Sequence, residues 1–124
     1  MTNLIELLEM KVVEQHDGYI KMTMPVTDKV KQPFGYLHGG ATMALGETAC
    51  SMGSAHLVDT TKEIPVGLEM NVNHIKSAKD GNVFAEASII HQGRTTHIWE
   101  IRIIDEQENL ISIMRGTLLI KQIT

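Results

Sequence analysis

The sequence predicts an α+β fold in which an antiparallel sheet wraps around one long central helix, and three observations predict it. Residues 39–55 form a run rich in small side chains and free of proline, which is typical of a buried helix when the small residues occupy every face. The segments on either side of this run alternate between apolar and polar residues, as strands do. Short turns separate these segments, which favours antiparallel pairing.

A short helix and a hairpin precede the long helix. Asn3 and Glu6 have the spacing of a capping box, which predicts a helix over residues 3–9. Two strands joined by a tight turn follow at residues 11–15 and 19–26, and the second of them alternates cleanly. These segments are therefore expected to be the first two strands of the sheet.

Alternating segments after the helix supply the rest of the sheet. They span residues 65–74, 83–91, 95–105 and 110–121. In the first segment five residues are expected to share the face that is turned to the helix: Val66, Leu68, Met70, Val72 and His74. The late strands are expected to form an antiparallel meander, with one sheet packed on one long helix.

The long helix also predicts a second subunit. Glu47 is its only charged residue before Asp59, so almost all of its surface is apolar or small. One sheet covers only one side of a helix, and a second copy of the chain could cover the remainder. We expect residues 1–124 to form one domain with one modest core, in an oligomer.

The composition argues against several classes of function. A net charge of −4 does not suit a nucleic-acid partner, which requires clustered basic residues. No segment is apolar and long enough to span a membrane, and the N-terminus lacks the basic and apolar regions of a signal peptide. We therefore expect a cytoplasmic protein without membrane or nucleic-acid partners.

Cysteine and histidine spacing argues against a metal site. Cys50 is the only cysteine, which leaves neither a disulfide framework nor a cysteine metal site. His91 and His97 are six residues apart, which is about 20 Å in one extended strand and too far to share an ion. We expect no metal.

Glu47 is the one carboxylate in the predicted buried helix. A lone buried acid is costly unless it is paired or neutral, and Ser51 lies one turn later on the same face. Two interpretations stay open. Glu47 is either a structural residue, capped by a hydroxyl or paired across a subunit contact, or a general base or nucleophile.

The start of the helix carries a second group of candidates. Gly39 and Gly40 present backbone N–H groups that suit a carbonyl oxygen gaining negative charge, although they could equally serve only tight packing. His38 and Glu47 are nine residues apart, about 13 Å along the axis and half a turn round. They cannot both touch one small reacting group within one chain, so a site that uses both must combine two subunits.

The central stretch resembles the hotdog-fold acyl-CoA thioesterases. The residues that carry this resemblance are Gln32, His38, Gly39, Gly40, Leu45, Glu47 and Ser51. The branch is that of the phenylacetate-pathway thioesterases and the Arthrobacter-type 4-hydroxybenzoyl-CoA thioesterases. The segments GLEMNVNHI and HQGRTTHIWEI resemble the same branch, so the resemblance covers nearly the whole chain.

The resemblance implies a role for each matching residue. Glu47 would act on the thioester carbonyl, either as the nucleophile or as the general base. The Gly39 N–H would form the oxyanion hole, with Gly40 as a second candidate. Gln32 and His38 would position the thioester.

The resemblance also implies how the subunits combine. Ser51, where some relatives carry threonine, would orient Glu47 or the attacking water. Glu47 and the Gly39 end of the helix would come from different subunits, in agreement with their spacing. The expected assembly is a homodimer that pairs into a dimer of dimers.

Three further residues are candidates for substrate binding. His74 matches an active-site histidine of some relatives, and the alternative is a satisfied core histidine. Arg94 and Thr95 follow a glycine at a hairpin, which the resemblance places near the pantetheine arm or nucleotide of coenzyme A. Arginine suits phosphates, and the alternative is a solvated turn.

The predicted reaction is hydrolysis of an acyl-CoA with an aromatic or short-chain acyl group. Hydroxyphenylacetyl, hydroxybenzoyl and dihydroxynaphthoyl esters are the candidates that the resemblance suggests. No cofactor is expected, because coenzyme A is part of the substrate. Two alternatives stay open: a hydroxyacyl dehydratase on the same fold, and a non-catalytic acyl-CoA-binding sensor.

Overall fold

A computed structural model describes residues 2–124. Its elements, in chain order, are α1 (Leu4–Leu7), β1 (Lys11–His16), β2 (Tyr19–Pro25), a 3₁₀ turn (Asp28–Val30), α2 (Gly39–Leu57), β3 (Glu63–His74), β4 (Asn82–Gln92), β5 (Thr96–Ile104) and β6 (Leu110–Gln122). The side chain of Asn3 caps α1 by accepting a hydrogen bond from the Glu6 N–H at 3.0 Å. The predicted elements are confirmed, with α1 shorter than expected.

The six strands form one antiparallel sheet in the order β1-β2-β4-β5-β6-β3. The predicted meander is β4-β5-β6, and β3 pairs with β6 at the far edge rather than with β4. Strand β3 is therefore a twelve-residue edge strand, and its outer backbone groups are available for pairing.

Small residues let α2 press closely onto the sheet. A Cβ built on Gly53 would lie 2.5 Å from the indole ring of Trp99, and one built on Gly46 would collide with Met114. Leu45, Ala49 and other residues of this face are fully buried. The opposite side of α2 is only partly covered, as expected for one sheet packed on one helix, so the helix is not buried on every face within a single chain.

A β-bulge in β3 changes which residues face the helix. The pairing with β6 shifts register between Gly67 and Glu69, and a bulge moves the following side chains to the other face. Gly67 faces α2, as Met70 does beyond the bulge. Leu68 is 57% exposed, so its predicted place on the helix-facing side is wrong.

A hairpin brings His91 and His97 onto neighbouring strands. His91 pairs with Ile98, and Gln92 pairs with His97. The predicted distance of about 20 Å between His91 and His97 assumed that both lie in one extended strand. This prediction is wrong, because the chain turns back at Gly93. Across residues 2–124, no group of three or more potential metal-binding side chains converges.

Within the same part of the chain, α2 is the one long helix, and its sequence is not apolar enough for it to cross a bilayer.

Candidate active site

A cavity of about 290 Å³ opens at the start of α2. Among the residues that line it are three of the predicted site residues, Gln32, Gly39 and His74. They come from the loop before α2, from the first residue of α2 and from the last residue of β3. The fold thus brings together residues that are 42 positions apart in the chain.

The N-cap of α2 determines which backbone donor stays free. His38 is the N-cap residue, and its Nδ1 accepts a hydrogen bond from the Gly40 N–H at 2.8 Å. Within residues 2–124 the Gly39 N–H donates no hydrogen bond. The Gly39 N–H is therefore the donor that the helix start offers to a ligand, and the helix dipole strengthens it.

His74 lies directly against Gly39. A Cβ built on Gly39 would lie 2.6 Å from Nε2 of His74, so glycine is required for the imidazole to reach the helix start. On its other side, Nδ1 of His74 lies 2.8 Å from the hydroxyl oxygen of Ser112. This hydrogen bond fixes the ring so that Nε2 faces the cavity.

Gln32 is fixed by the loop that precedes α2. Its Oε1 accepts hydrogen bonds from the backbone N–H groups of Phe34 at 2.6 Å and Tyr36 at 3.2 Å. Two N–H donors on the oxygen establish which way the amide points. The NH₂ group of Gln32 is therefore the part of this side chain that can donate to a ligand in the cavity.

Glu47 and Ser51 lie together on the flank of α2, at a second cavity of about 290 Å³. Apolar side chains line much of this cavity, including Leu4 and Ile5 of α1 and Met52 of α2. Glu47 is exposed in the single chain, so its predicted burial is wrong at this level. A Cβ built on Gly67 would lie 2.7 Å from its Oε2, which shows how closely the carboxylate approaches β3.

The two cavities share no lining residue. One chain therefore holds the two groups of site residues apart, as the helical spacing predicts. Arg94 and Thr95 lie at neither cavity. The Thr95 carbonyl accepts a hydrogen bond from Ile120, which pairs with Pro65 at the end of β3 remote from His74.

Two polar features were missed in the sequence. Ser112, which holds His74, is a polar residue among the inward-facing positions of β6, and this break in the apolar alternation could have revealed it. The buried contact between Ser54 and His97 links residues 43 positions apart, and no local pattern predicts such a pair.

The fold and the first cavity define a class of protein. A free backbone N–H at a helix start, in a cavity that a glutamine and a histidine also line, is typical of enzymes that stabilise negative charge on a carbonyl oxygen. The comparisons with known proteins agree with this class and make it specific.

Residues 34–112 match the family model of the thioesterase superfamily, which is more than half of the chain. The chain belongs to the thioesterase superfamily, and the predictions of a hotdog fold and of a thioester hydrolase are confirmed.

Two curated relatives are similar over most of their length. A 1,4-dihydroxy-2-naphthoyl-CoA hydrolase of Listeria monocytogenes is 44% identical over 117 residues, which cover 94% of both chains. A protein of the same name from Escherichia coli is 36% identical over 93% of this chain and 84% of its own.

Solved structures show the same fold. The thioesterase enzyme SAV0944 of Staphylococcus aureus, in its Q32A variant, is 64% identical with a TM-score of 0.95, over 97% of this chain and 99% of its own. The thioesterase PA1618 of Pseudomonas aeruginosa, in a Q49A variant, is 38% identical with a TM-score of 0.93, over 97% of this chain and 86% of its own.

Proposed function

We propose that this protein hydrolyses an aromatic acyl-CoA thioester at a site that two copies of the chain share. One copy supplies the cavity with Gly39, Gln32 and His74, and the second copy supplies Glu47 and Ser51. The observation that carries the proposal is that Gly39, whose N–H makes no hydrogen bond within the described residues, lines one cavity together with Gln32 and His74.

In the proposed reaction the thioester carbonyl oxygen accepts a hydrogen bond from the Gly39 N–H. This donor stabilises the negative charge that develops when the carbonyl carbon is attacked. Glu47 activates a water molecule that attacks the carbon, or attacks it directly to give an acyl-enzyme anhydride that water then hydrolyses to the free acid and the Glu47 carboxylate. Ser51 orients the carboxylate or that water. The carbon–sulfur bond then breaks, and the thiolate takes up a proton as free coenzyme A. These groups suffice, so the proposal includes no metal and no cofactor.

His38 acts in this proposal by holding the helix start. Its Nδ1 accepts a hydrogen bond from the Gly40 N–H. Of the two glycine N–H groups at the helix start, only that of Gly39 is then free. Gly40 then shapes the backbone close to the substrate without donating to it. His38 is exposed, so its ring can also border the bound thioester.

Strand β3 provides a route by which the two halves of the site meet. Gly67 lies level with Glu47, and His74 lies level with Gly39. These positions are seven residues apart, about 23 Å along a strand. Antiparallel pairing of two β3 edges, centred between Met70 and Asn71, would set Gly67 of one copy opposite His74 of the other.

The same pairing supports a role for Arg94 and Thr95 in binding coenzyme A. Their hairpin lies at the end of the sheet where Pro65 pairs with Ile120. In the dimer this end approaches the first cavity of the other copy. The Arg94 guanidinium is exposed and suits a phosphate of the coenzyme.

The acyl group is proposed to occupy the cavity beside Glu47. Its walls combine apolar side chains from α1 and α2 with the hydroxyls of Thr48 and Ser51, which suits a hydroxylated aromatic ring. Two relatives are named 1,4-dihydroxy-2-naphthoyl-CoA hydrolase, and this favours a dihydroxynaphthoyl ester over hydroxybenzoyl and hydroxyphenylacetyl esters. Resemblance to the phenylacetate-pathway branch keeps those two in the test panel. Further pairing into a dimer of dimers remains part of the proposal.

The test is thiol release from a panel of aromatic and aliphatic acyl-CoAs, with wild type beside Glu47→Ala and Glu47→Gln. We expect one aromatic ester to be preferred and both variants to lose at least about a thousandfold in kcat. Glu47 is exposed in the single chain, so neither variant should disturb its core. Binding of CoA esters without turnover by wild type would favour the sensor, and hydration of an enoyl-CoA would favour the dehydratase.

A further inference from the structure

A buried polar cluster lies under α2, outside both cavities. The Trp99 Nε1–H donates to the Ser54 hydroxyl oxygen at 2.8 Å, and the same oxygen lies 2.8 Å from Nδ1 of His97. Ser54 and Trp99 are fully buried, and His97 is 2% exposed. Because an indole nitrogen only donates, Ser54 accepts from Trp99 and keeps its own hydrogen for His97.

The chemistry of His97 fits this arrangement. Burial lowers the pKa of His97 below its usual value, Glu63 opposes this shift, and His91 adds to it. The ring is therefore neutral at neutral pH, and Nδ1 can accept the Ser54 hydroxyl hydrogen. Every polar atom at the centre of the cluster, Ser54 Oγ, His97 Nδ1 and Trp99 Nε1, has a partner.

Such a cluster fixes position in a way that apolar packing does not. Well-packed apolar residues stabilise a core at least as well as buried polar ones. Because apolar contacts have no preferred direction, however, they tolerate small shifts of a helix along a sheet. At Gly53 the backbone of α2 already rests on the indole of Trp99. The hydrogen bonds of Ser54 then set where along the sheet this part of the helix lies.

The cluster lies in the same cross-strand row as the contact of Glu47 with β3. His97 pairs with Leu118, and Leu118 pairs with Gly67. Gly67 is the residue whose backbone the Glu47 carboxylate approaches. Glu47 and Ser54 are seven residues apart on one continuous helix, about 10 Å along its axis. A shift of α2 at Ser54 would therefore carry Glu47 with it.

We propose that Ser54, His97 and Trp99 form a positioning cluster that sets the place of the Glu47 carboxylate against β3. This inference rests on the proposed function, in which Glu47 attacks or activates water. None of the three residues lines either cavity. They act through α2, so their loss should impair the chemical step and leave CoA-ester binding intact.

The test compares kcat with KM in variants of the cluster. Ser54→Ala should lower kcat about tenfold to a hundredfold, since misplacement of a reacting group by about 1 Å has effects of this size. KM should stay within about twofold of wild type. His97→Leu should act like Ser54→Ala. His97→Asn should retain most of kcat, because the asparagine side chain keeps a polar atom near the place of Nδ1.

Ile103→Val is the matched control. Ile103 is fully buried on β5, the strand of His97 and Trp99, and the change removes one methylene group without touching a hydrogen bond. It should lower Tm with kcat unchanged. If kcat in Ser54→Ala falls no further than in Ile103→Val, or if KM rises while kcat holds, the proposal is overturned.

Crystal structures of wild type and Ser54→Ala separate this proposal from the proposed function. We expect the Glu47 carboxylate to move away from Gly67 in the variant, whether or not wild type hydrolyses the panel. A carboxylate that stays in place would overturn the positioning proposal alone. A wild type without turnover would overturn the proposed function alone.

Discussion

The two ends of the candidate site differ in how they are held. At the start of α2, hydrogen bonds within the chain fix Gln32, His38 and His74 around the Gly39 donor. On the flank of α2, Glu47 is exposed and borders only β3 and a partly apolar cavity. The first end is complete within one chain, and the second has an open side.

This difference indicates which part of the site depends on a second copy. Preorganised donors need no partner to keep their geometry, and such donors are worth most when water is excluded. A carboxylate on an open flank is shielded from bulk water only when another surface covers it. We infer that pairing of the chains changes the surroundings of Glu47 more than those of Gly39.

After the loss expected for the Glu47 variants, the next largest effect should come from breaking the preorganised end. Gly39→Ala should lower kcat by about a hundredfold, because the new Cβ displaces His74 and shifts the proposed oxyanion donor. Steady-state kinetics with the preferred ester would measure this. A double variant, Gly39→Ala with His74→Ala, shows how much of the decrease in kcat is caused by the displacement of the imidazole. An unchanged kcat in Gly39→Ala would remove this donor from the reaction.

A smaller effect is expected from the hairpin that the second copy would bring to the first cavity. Arg94→Ala should raise KM about fivefold with kcat unchanged, the loss of about 1 kcal/mol of binding to a phosphate. Dephospho-CoA esters would show which phosphate is bound. Arg102→Ala is the control, since Arg102 is an exposed arginine of β5. Equal changes in the two variants would mean that Arg94 acts only through net charge.

The smallest effect concerns stability at low pH. The lowered pKa of His97 means that the unfolded chain takes up a proton that the folded chain resists. This contribution is present above the usual histidine value of 6.5 and is lost as the pH falls towards the lowered folded value. Urea unfolding of wild type and His97→Asn between about pH 7.5 and pH 5 would measure it. If the free energy of unfolding changed with pH equally in the two proteins, the lowered pKa of His97 would be contradicted.

Much of this arrangement follows from local patterns in the sequence. Small residues at 46 and 53 predict close packing of α2, and the nine-residue interval between His38 and Glu47 predicts a divided site. Both are consequences of helical geometry. The fold of the chain around α2 is therefore largely predictable.

Other features depend on contacts between distant segments. The bulge at Gly67 reverses the exposure of Leu68, and alternation alone does not reveal a bulge. The choice of Gly39 over Gly40 as the free donor depends on the direction of the His38 ring. The exposure of Glu47 could not be predicted either, because a helix rich in small residues looks the same whether a sheet or a second copy covers it.

The most direct test of the shared site combines two inactive variants. Glu47→Ala and Gly39→Ala chains, carrying different affinity tags, are co-expressed, and the hybrid is isolated on both tags. If the two halves come from different copies, each hybrid dimer contains one intact site and one doubly defective site, and shows about half of wild-type activity. Activity no higher than that of either parent would mean that each chain acts alone, and would contradict the account.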